Sequence, residues 1–497
     1  MKKVIYAIAT LFAILITSCN KTLLESPSNT ISPENFYKSK SDFELANLGA
    51  IGVLQGGSLY AWYIHYVIEH QSGDFSQPAG TSWSELNWLT DDGFVATTWT
   101  GHYNLINNVN TSLDKIDGVN FDKESKDALK GELYFLRAVG YFNLVRMFGK
   151  VPLHLHATVS PNEASLKQSE IKDVYAAIVS DLQQAETLLP VSNPYGPGRV
   201  TKGAATGLLG KVYVFMAGWP LNDAAKWNEA LTQLKKIVNV ANPSMSVAPF
   251  NYHLEADYQD LFWHVTQLRT TGTGLPTIAK PANENGPEAV FEINYKRAAG
   301  YYSAIFPSSL MYQPCSFWLF NQFESNDYRQ GVTMVNTPGD PLGGVTLQRK
   351  FQATGNTWND NENNWPYLRF ADLILLLAEA ENEVNGPTAT ALDAINAVRK
   401  RARNAAGVIR LAPANYTSTE AFSKDAFRKL VLHERTLELS CEGQTWFDWI
   451  RTNTLKEVLT AQGRPGTYSD KIRLYPIPQA EIDITKGVLI QNDGYAH

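Results

Sequence analysis

The stretch 367–384 reads YLRFADLILLLAEAENEV and predicts a helix that is buried on several sides. Apolar residues occupy every position from Leu373 to Ala378, so no face of this part is left for water. Asp372 interrupts the apolar run with a carboxylate. Because a buried carboxylate is costly without a cationic partner, we expect Asp372 to pair with Arg369 or with an arginine later in the chain.

Other segments on both sides of this stretch have apolar residues at intervals of three and four, which predicts a mainly α-helical fold. Helix pairs of about 30 to 40 residues are typical of tetratricopeptide-like hairpins, in which each unit buries one face on the next. We therefore predict an α-superhelical scaffold of such hairpins. The predicted helices span residues 41–54, 99–116, 122–148, 171–189, 201–217, 223–240, 366–384, 389–403, 424–439 and 446–451.

The middle of the chain lacks this helical period. Residues 242–365 are rich in glycine, proline, asparagine and aromatic residues, and we predict a loop-rich insertion with short strands at 289–295 and 345–351. The predicted domain, 41–497, then consists of an N-terminal helical part (41–241), this insertion and a C-terminal helical part (366–497).

The first residues predict export. Two lysines, a short apolar run at 4–16 and small residues before Cys19 are typical of a secretory signal peptide covering 1–18. A cysteine at the cleavage point is the acceptor for a lipid anchor, and the polar, turn-rich residues up to 40 would then be a flexible tether, 19–40. An ordinary cleaved signal with an incidental cysteine is the alternative.

Composition and motifs exclude several classes of function. A net charge of −6 and an isoelectric point near 5.9 argue against a nucleic-acid partner. The sequence has neither a His-Glu-x-x-His nor a Gly-x-Ser-x-Gly motif, so we expect no zinc, no other cofactor and no hydrolase of those types. Cys315 and Cys441 can pair in an oxidising compartment, but their positions in the sequence do not decide whether they do.

Several ordered motifs together resemble the SusD/RagB family. They are the lipoprotein start at Cys19, the helix at 367–380, the segment ERTLELSCEGQTWFDWIR at 434–451, the YPIP at 475–478 and the QNDGY at 491–495. Two positions depart from the family pattern. Thr445 stands where arginine is usual, and Asp493 stands where proline is usual.

The resemblance implies a fold, a location and a role. It implies an outer-membrane lipoprotein, exposed at the cell surface, that captures oligosaccharides and delivers them to a TonB-dependent, SusC-like transporter without catalysis. Glu438 and Glu442 lie four residues apart beside Arg435, and we predict that they belong to a structural ion network. The alternative is a glycoside hydrolase, in which two carboxylates flank a sugar bond.

The candidate glycan-binding residues come from two stretches, 60–88 and 263–322, where aromatic residues mix with amides and carboxylates. Sugar rings present flat C–H faces, so a binding site needs exposed aromatic rings beside groups that reach hydroxyls. An adhesion or scaffold lipoprotein with protein partners only is a further alternative. The candidates are Trp62, Asp74, Trp83, Trp88, Tyr312, Trp318 and Asn321.

Replacing Cys19 tests the predicted anchor. Cys19→Ala should abolish acylation and leave the fold unchanged, because the predicted tether lies outside the packed domain. Metabolic labelling with a fatty-acid analogue measures the first effect, and thermal unfolding measures the second. Equal labelling of the variant and the wild type would exclude a lipid on this cysteine.

Overall fold

The structure is a computed structural model. It describes residues 36–75, 81–160, 163, 165–196, 198–262, 267–270, 277–280, 285–295, 314–336, 346–348, 350–351, 363–405 and 407–496. The predicted signal peptide, Cys19, most of the tether and the candidate Tyr312 lie outside these residues.

The fold is mainly α-helical, as the sequence predicts. The helices are α1 (Lys40–Leu54), α2 (Tyr63–Ile68), α3 (Ser82–Glu85), α4 (Gly93–Ile116), α5 (Lys123–Phe148), α6 (Ile171–Leu188), α7 (Lys202–Ala217), α8 (Lys226–Lys235), α9 (Phe317–Phe320), α10 (Tyr328–Thr333), α11 (Phe370–Asn385), α12 (Ala389–Ala402), α13 (Lys424–Glu438), α14 (Thr445–Arg451), α15 (Leu455–Ala461) and α16 (Gln479–Ile484).

The strands are short and form small antiparallel sheets. Strand β5 pairs with β9, and β8 lies between β6 and β7. The predicted strands at 289–295 and 345–351 are confirmed as β5 and β8, whereas the division of the domain at 241 and 365 stays a prediction. The strands are β1 (Val151–Pro152), β2 (Gln168–Ser169), β3 (Gln267–Thr270), β4 (Thr277–Lys280), β5 (Ala289–Ile293), β6 (Pro314–Cys315), β7 (Met334–Asn336), β8 (Thr346–Gln348), β9 (Trp365–Arg369), β10 (Asn404–Ala405) and β11 (Val408–Ile409).

Helices that follow one another in the chain pack side by side, as in tetratricopeptide-like hairpins. The packed pairs run from α4 on α5 through α5 on α6, α6 on α7 and α7 on α8, and α8 then contacts α11. Helix α11 also packs against α7, α12 and α13 and is buried from Phe370 to Asn382. Gly207 of α7 permits this close approach, since an added Cβ there would lie 2.7 Å from Leu373.

The ends of three predicted helices differ from the structure by three residues or more. The helix predicted at 223–240 is the shorter α8, Lys226–Lys235, and the other two differences have identifiable causes. Helix α4 begins at Gly93, six residues before the predicted start at 99, because the Asp92 carboxylate caps it by accepting the N–H groups of Phe94 and Val95. The predicted helix 366–384 begins only at Phe370. The preceding β9 pairs with β5, and a partner so distant in sequence leaves no trace in a local helical period.

The second of the two partners predicted for Asp372 is confirmed. An arginine later in the chain, Arg435, donates to Asp372 Oδ1 at 2.7 Å, but Arg369 does not. Arg369 precedes α11 in the extended strand β9, and its side chain points elsewhere. Lys211 of α7 donates to Asp372 Oδ2 at 2.7 Å, a contact that the sequence did not suggest.

The predicted ion network around Glu438 and Glu442 is confirmed. Arg369 Nη1 lies 3.1 Å from Glu438 Oε1, and Arg369 Nε lies 2.7 Å from Glu442 Oε2. Lys350 Nζ donates to Glu442 Oε1 at 2.5 Å, and Arg329 Nη1 lies 3.1 Å from Glu438 Oε2. Each carboxylate is therefore buried with at least two cations.

Removing the carboxylate of Asp372 should destabilise the fold. Asp372→Ala leaves Lys211 and Arg435 buried with one anion fewer, which should lower the free energy of unfolding by about 3 to 5 kcal/mol. Asp117→Ala is the matched control, because Asp117 pairs with Lys130 at the surface and its loss should cost about 1 kcal/mol or less. Urea denaturation of both variants measures the difference. Equal effects would contradict the role given to Asp372.

The same network should make stability depend on acid pH. Burial by itself raises the pKa of Glu438, but Arg401, Arg369 and Arg329 lower it from 4.5 to about 2. A group whose pKa is lower in the folded state than in the unfolded state stabilises the fold at pH values above its unfolded-state pKa. This stabilisation is lost as the pH falls through its folded-state pKa. The stability advantage of the wild type over Glu438→Gln should therefore shrink between pH 4.5 and about 2. Urea denaturation at several pH values tests this, and an advantage that grows toward low pH would contradict it.

Candidate functional site

The backbone brings the two aromatic stretches together. Phe75 and Cys315 form an antiparallel bridge, and the Ser316 N–H donates to the Asp74 carbonyl at 2.8 Å. The Ser316 hydroxyl also donates to the carbonyl of Gly73 and caps α9 by accepting the N–H of Leu319. We call this junction of 73–75 with 314–316 the seam. It joins the segment that carries α3 to the segment that carries α9.

On one side of the seam, Trp83 of α3 is half-buried against other aromatic rings. Its ring centroid lies 5.2 Å from those of Tyr66 and Phe94 and 6.1 Å from that of His70. His70 in turn lies 5.4 Å from Phe75 of the seam. These contacts hold the indole in place while part of its surface remains open to solvent.

On the other side of the seam, α9 presents an aromatic ring and an amide together. Phe317 is 48% exposed and Asn321 is exposed. The two residues are four apart, and the Asn321 N–H donates to the Phe317 carbonyl at 3.0 Å, so both lie on the same side of one helical turn. Trp318 is half-buried, and its ring meets Trp449 edge-on at a centroid distance of 5.6 Å.

Two candidate residues are buried and were wrongly predicted to face a ligand. Trp88 is 3% exposed because Tyr475, from the C-terminal part, covers it at a centroid distance of 5.2 Å. Asp74 is 2% exposed, and its Oδ2 accepts the Cys441 N–H at 3.0 Å and the Thr445 hydroxyl at 3.2 Å. Burial raises the pKa of Asp74 to about 6. Its role is to join two segments.

The structure does not decide the role of two further candidates, Trp62 and Tyr312. Trp62 is half-buried at the start of α2, so it stays a prediction, and Tyr312 lies outside the described residues. Phe317 belongs to the second aromatic stretch and is the most exposed of its described aromatic residues. Its spacing from Asn321 is the signal that could have singled it out from sequence.

The structure has a cavity of about 1020 Å³ near the C-terminal end that the sequence did not predict. Its wall includes Trp219, whose ring is covered by the Arg473 guanidinium at 5.2 Å. Lys471 also lines the cavity, and its Nζ donates to Asn87 Oδ1 at 3.1 Å, which places the cavity beside the segment after α3. Its charges are of both signs, and Lys150 pairs with Glu170 and Arg473 with Asp470.

The described residues give no support to a catalytic centre at the predicted carboxylates. Glu438 and Glu442 are fully buried and bonded to cations, so they do not stand on opposite walls of a cleft. Within the described ranges, no group of three or more His, Cys, Asp or Glu side chains is arranged to hold a metal ion. None of the helices in the described part of the chain is both long and apolar enough to span a membrane.

The fold and this surface define a class of protein: a tetratricopeptide-like helical scaffold with aromatic side chains on short elements outside the helical core. Two family models match the sequence. One, described as the SusD family, matches residues 301–495, and the other, described as starch-binding and associating with the outer membrane, matches residues 31–214. The chain belongs to the SusD/RagB family.

Comparisons with individual proteins support the same family assignment. SusD-like protein P2 of Formosa agariphila is 25% identical over the full length of both chains. A SusD homologue from Bacteroides thetaiotaomicron superposes with a TM-score of 0.74 at 24% identity, covering 93% of this chain and 98% of its own. A laminarin-binding SusD-like protein superposes with a TM-score of 0.72 at 23% identity, covering 92% of this chain and 100% of its own. At these identities the superpositions establish the fold.

Proposed function

We propose that this chain is a lipid-anchored protein of the outer membrane that binds glycans at the cell surface and delivers them to a SusC-like transporter. The observation that carries the proposal is the surface at the seam. There, Phe317 and Asn321 offer an aromatic ring and an amide on one turn of α9, and the seam joins α9 to the segment that carries the half-buried Trp83 of α3.

The chemistry of this surface suits a carbohydrate. Aromatic rings provide flat apolar area for the C–H faces of sugar rings, and an amide both donates to and accepts from hydroxyl groups. Trp83 is already held by its aromatic neighbours, so little side-chain freedom would be lost on binding. Phe317 and Asn321 share one short turn, which keeps the ring and the amide at a fixed spacing.

The comparisons support a glycan as the ligand. One family model that matches the chain is described as starch-binding, and a protein of the same fold binds laminarin. Association with the outer membrane is part of the same family description. The sequence motifs and the family resemblance support the lipid on Cys19 and delivery to the transporter.

Capture without hydrolysis is the second half of the proposal. A catalytic acid needs a pKa close to the pH at which it works. Burial by itself raises the pKa of Glu438, but Arg401 and Arg369 lower it to about 2, so this group would hold no proton to donate near neutral pH. Glu442 bonds to Lys350 and Arg369 and lies in the same buried network.

Truncation of the aromatic rings tests the site. Phe317→Ala, Trp318→Ala and Trp83→Ala should each weaken glycan binding by about 1 to 3 kcal/mol if the ring stacks on sugar, which is the scale of burying one large apolar side chain. Phe422→Ala is the matched control, because Phe422 is an exposed phenylalanine (77%) outside this surface. Calorimetry with laminarin and soluble starch, after a wider glycan screen, measures the affinities.

Two further measurements make the outcome decisive. Trp88→Ala should reduce stability and leave the affinity of the folded fraction unchanged, because Trp88 is buried under Tyr475. If all three ring variants bind like Phe422→Ala, the glycan site lies elsewhere. Release of reducing ends from the bound glycan by the purified wild type would favour the hydrolase alternative. A chain that binds no glycan in the screen would favour an adhesion or scaffold role.

A further inference from the structure

Cys315 and Cys441 meet directly behind the candidate surface. Cys315 ends β6 at the seam, and Cys441 follows the end of α13. Both side chains are buried, and Cys315 is close enough to raise the pKa of the Cys441 thiol. The sequence left their pairing open, and the fold brings both cysteines to one short segment, Asp74–Phe75.

Contacts that do not involve sulfur hold both cysteines in this position. The Asp74 carboxylate accepts the Cys441 N–H at 3.0 Å, while the Asp74 carbonyl accepts the N–H of Ser316 at 2.8 Å. Phe75, next to Asp74, forms the backbone bridge to Cys315. One short segment therefore fixes the backbone at both cysteines, so their proximity does not depend on a covalent link.

The backbone at Cys441 is itself unusual. Its φ of +60° lies in the left-handed region, which costs free energy for a residue with a side chain. The Asp74 carboxylate, which accepts the Cys441 N–H at 3.0 Å, holds the backbone in this conformation.

We propose that Cys315 and Cys441 form a disulfide in the exported protein. The proposal rests on the export that is part of the proposed function, and it does not depend on which glycan is bound. The oxidant is the disulfide of a thiol–disulfide oxidoreductase outside the cytoplasm. One cysteine thiolate attacks that disulfide and forms a mixed disulfide. The second cysteine displaces the enzyme, so the chain loses two protons and two electrons, and the enzyme's disulfide becomes two thiols.

The bond should form before the fold is complete. Burial raises the pKa of Cys441 well above its ordinary 9.0, and the hydrogen bond with Cys315 raises it further. Because the thiolate is the reactive species, a folded protein that still holds both thiols should oxidise slowly. The disulfide would join residues 126 positions apart and tie α9, which carries Phe317 and Trp318, to the turn before α14.

Alkylation under denaturing conditions tests the bond. The full chain is exported in a bacterial host, unfolded with N-ethylmaleimide present and no reductant, digested, and analysed by mass spectrometry. We expect a cross-linked pair of peptides containing Cys315 and Cys441, and alkylation of both only after reduction. Full alkylation of both cysteines without reductant would overturn the proposal.

Single variants provide the control for stability. Reductant should lower the denaturation midpoint of the wild type and leave the midpoints of Cys315→Ser and Cys441→Ser unchanged. The wild-type protein is also shown to lose its cross-link in reductant. If its denaturation midpoint then stays the same, the bond does not stabilise the fold. Glycan binding is measured on the same samples. Binding without a cross-link rejects the disulfide alone, and a cross-link without binding rejects the glycan function alone.

Discussion

The buried charge network around Arg369 is the interaction on which the arrangement of the domain depends. Arg369 donates to Glu288 at 2.6 Å, next to β5, and to Glu438 and Glu442 at the end of α13. Lys350, next to β8, reaches Glu442 from the insertion. A displacement of any one of these segments would leave a buried charge without its partner, which is strongly unfavourable. The network therefore fixes how the segments at β5 and β8 sit on the C-terminal helices.

The sequence predicted the parts of the fold that local periodicity determines and missed those that depend on distant partners. The long helix at 122–148 is recovered almost to the residue, because apolar spacing and the capping Asp122 act over a few residues. The sequence predicts a helix over most of strand β9, because the strand's partner, β5, lies about 80 residues earlier and leaves no local signal. Lys211 was missed for the same reason, since α7 meets Asp372 only through packing of the whole domain.

The sequence predicted the region of the candidate surface but not which of its residues are exposed. Aromatic residues mixed with amides indicate where a sugar could bind, and the seam does join the two stretches. Local sequence cannot tell Trp83 from Trp88, because the covering residue, Tyr475, comes from the far end of the chain. Asp74 has the polarity of a ligand-binding residue but bonds to Cys441 and Thr445 instead.

Binding at the proposed site would depend on tertiary structure, because the seam forms only when two distant segments meet. Residues 73–75 and 314–316 are separated by some 240 positions in the chain and adjoin only in the folded state. A ligand that touches both sides has no counterpart to bind in the unfolded chain, so its binding free energy adds to that of folding. Occupancy and conformational stability are thus thermodynamically linked. A substitution in the buried charge network would then weaken the apparent affinity by increasing the fraction of unfolded molecules, in which residues 73–75 and 314–316 are separated.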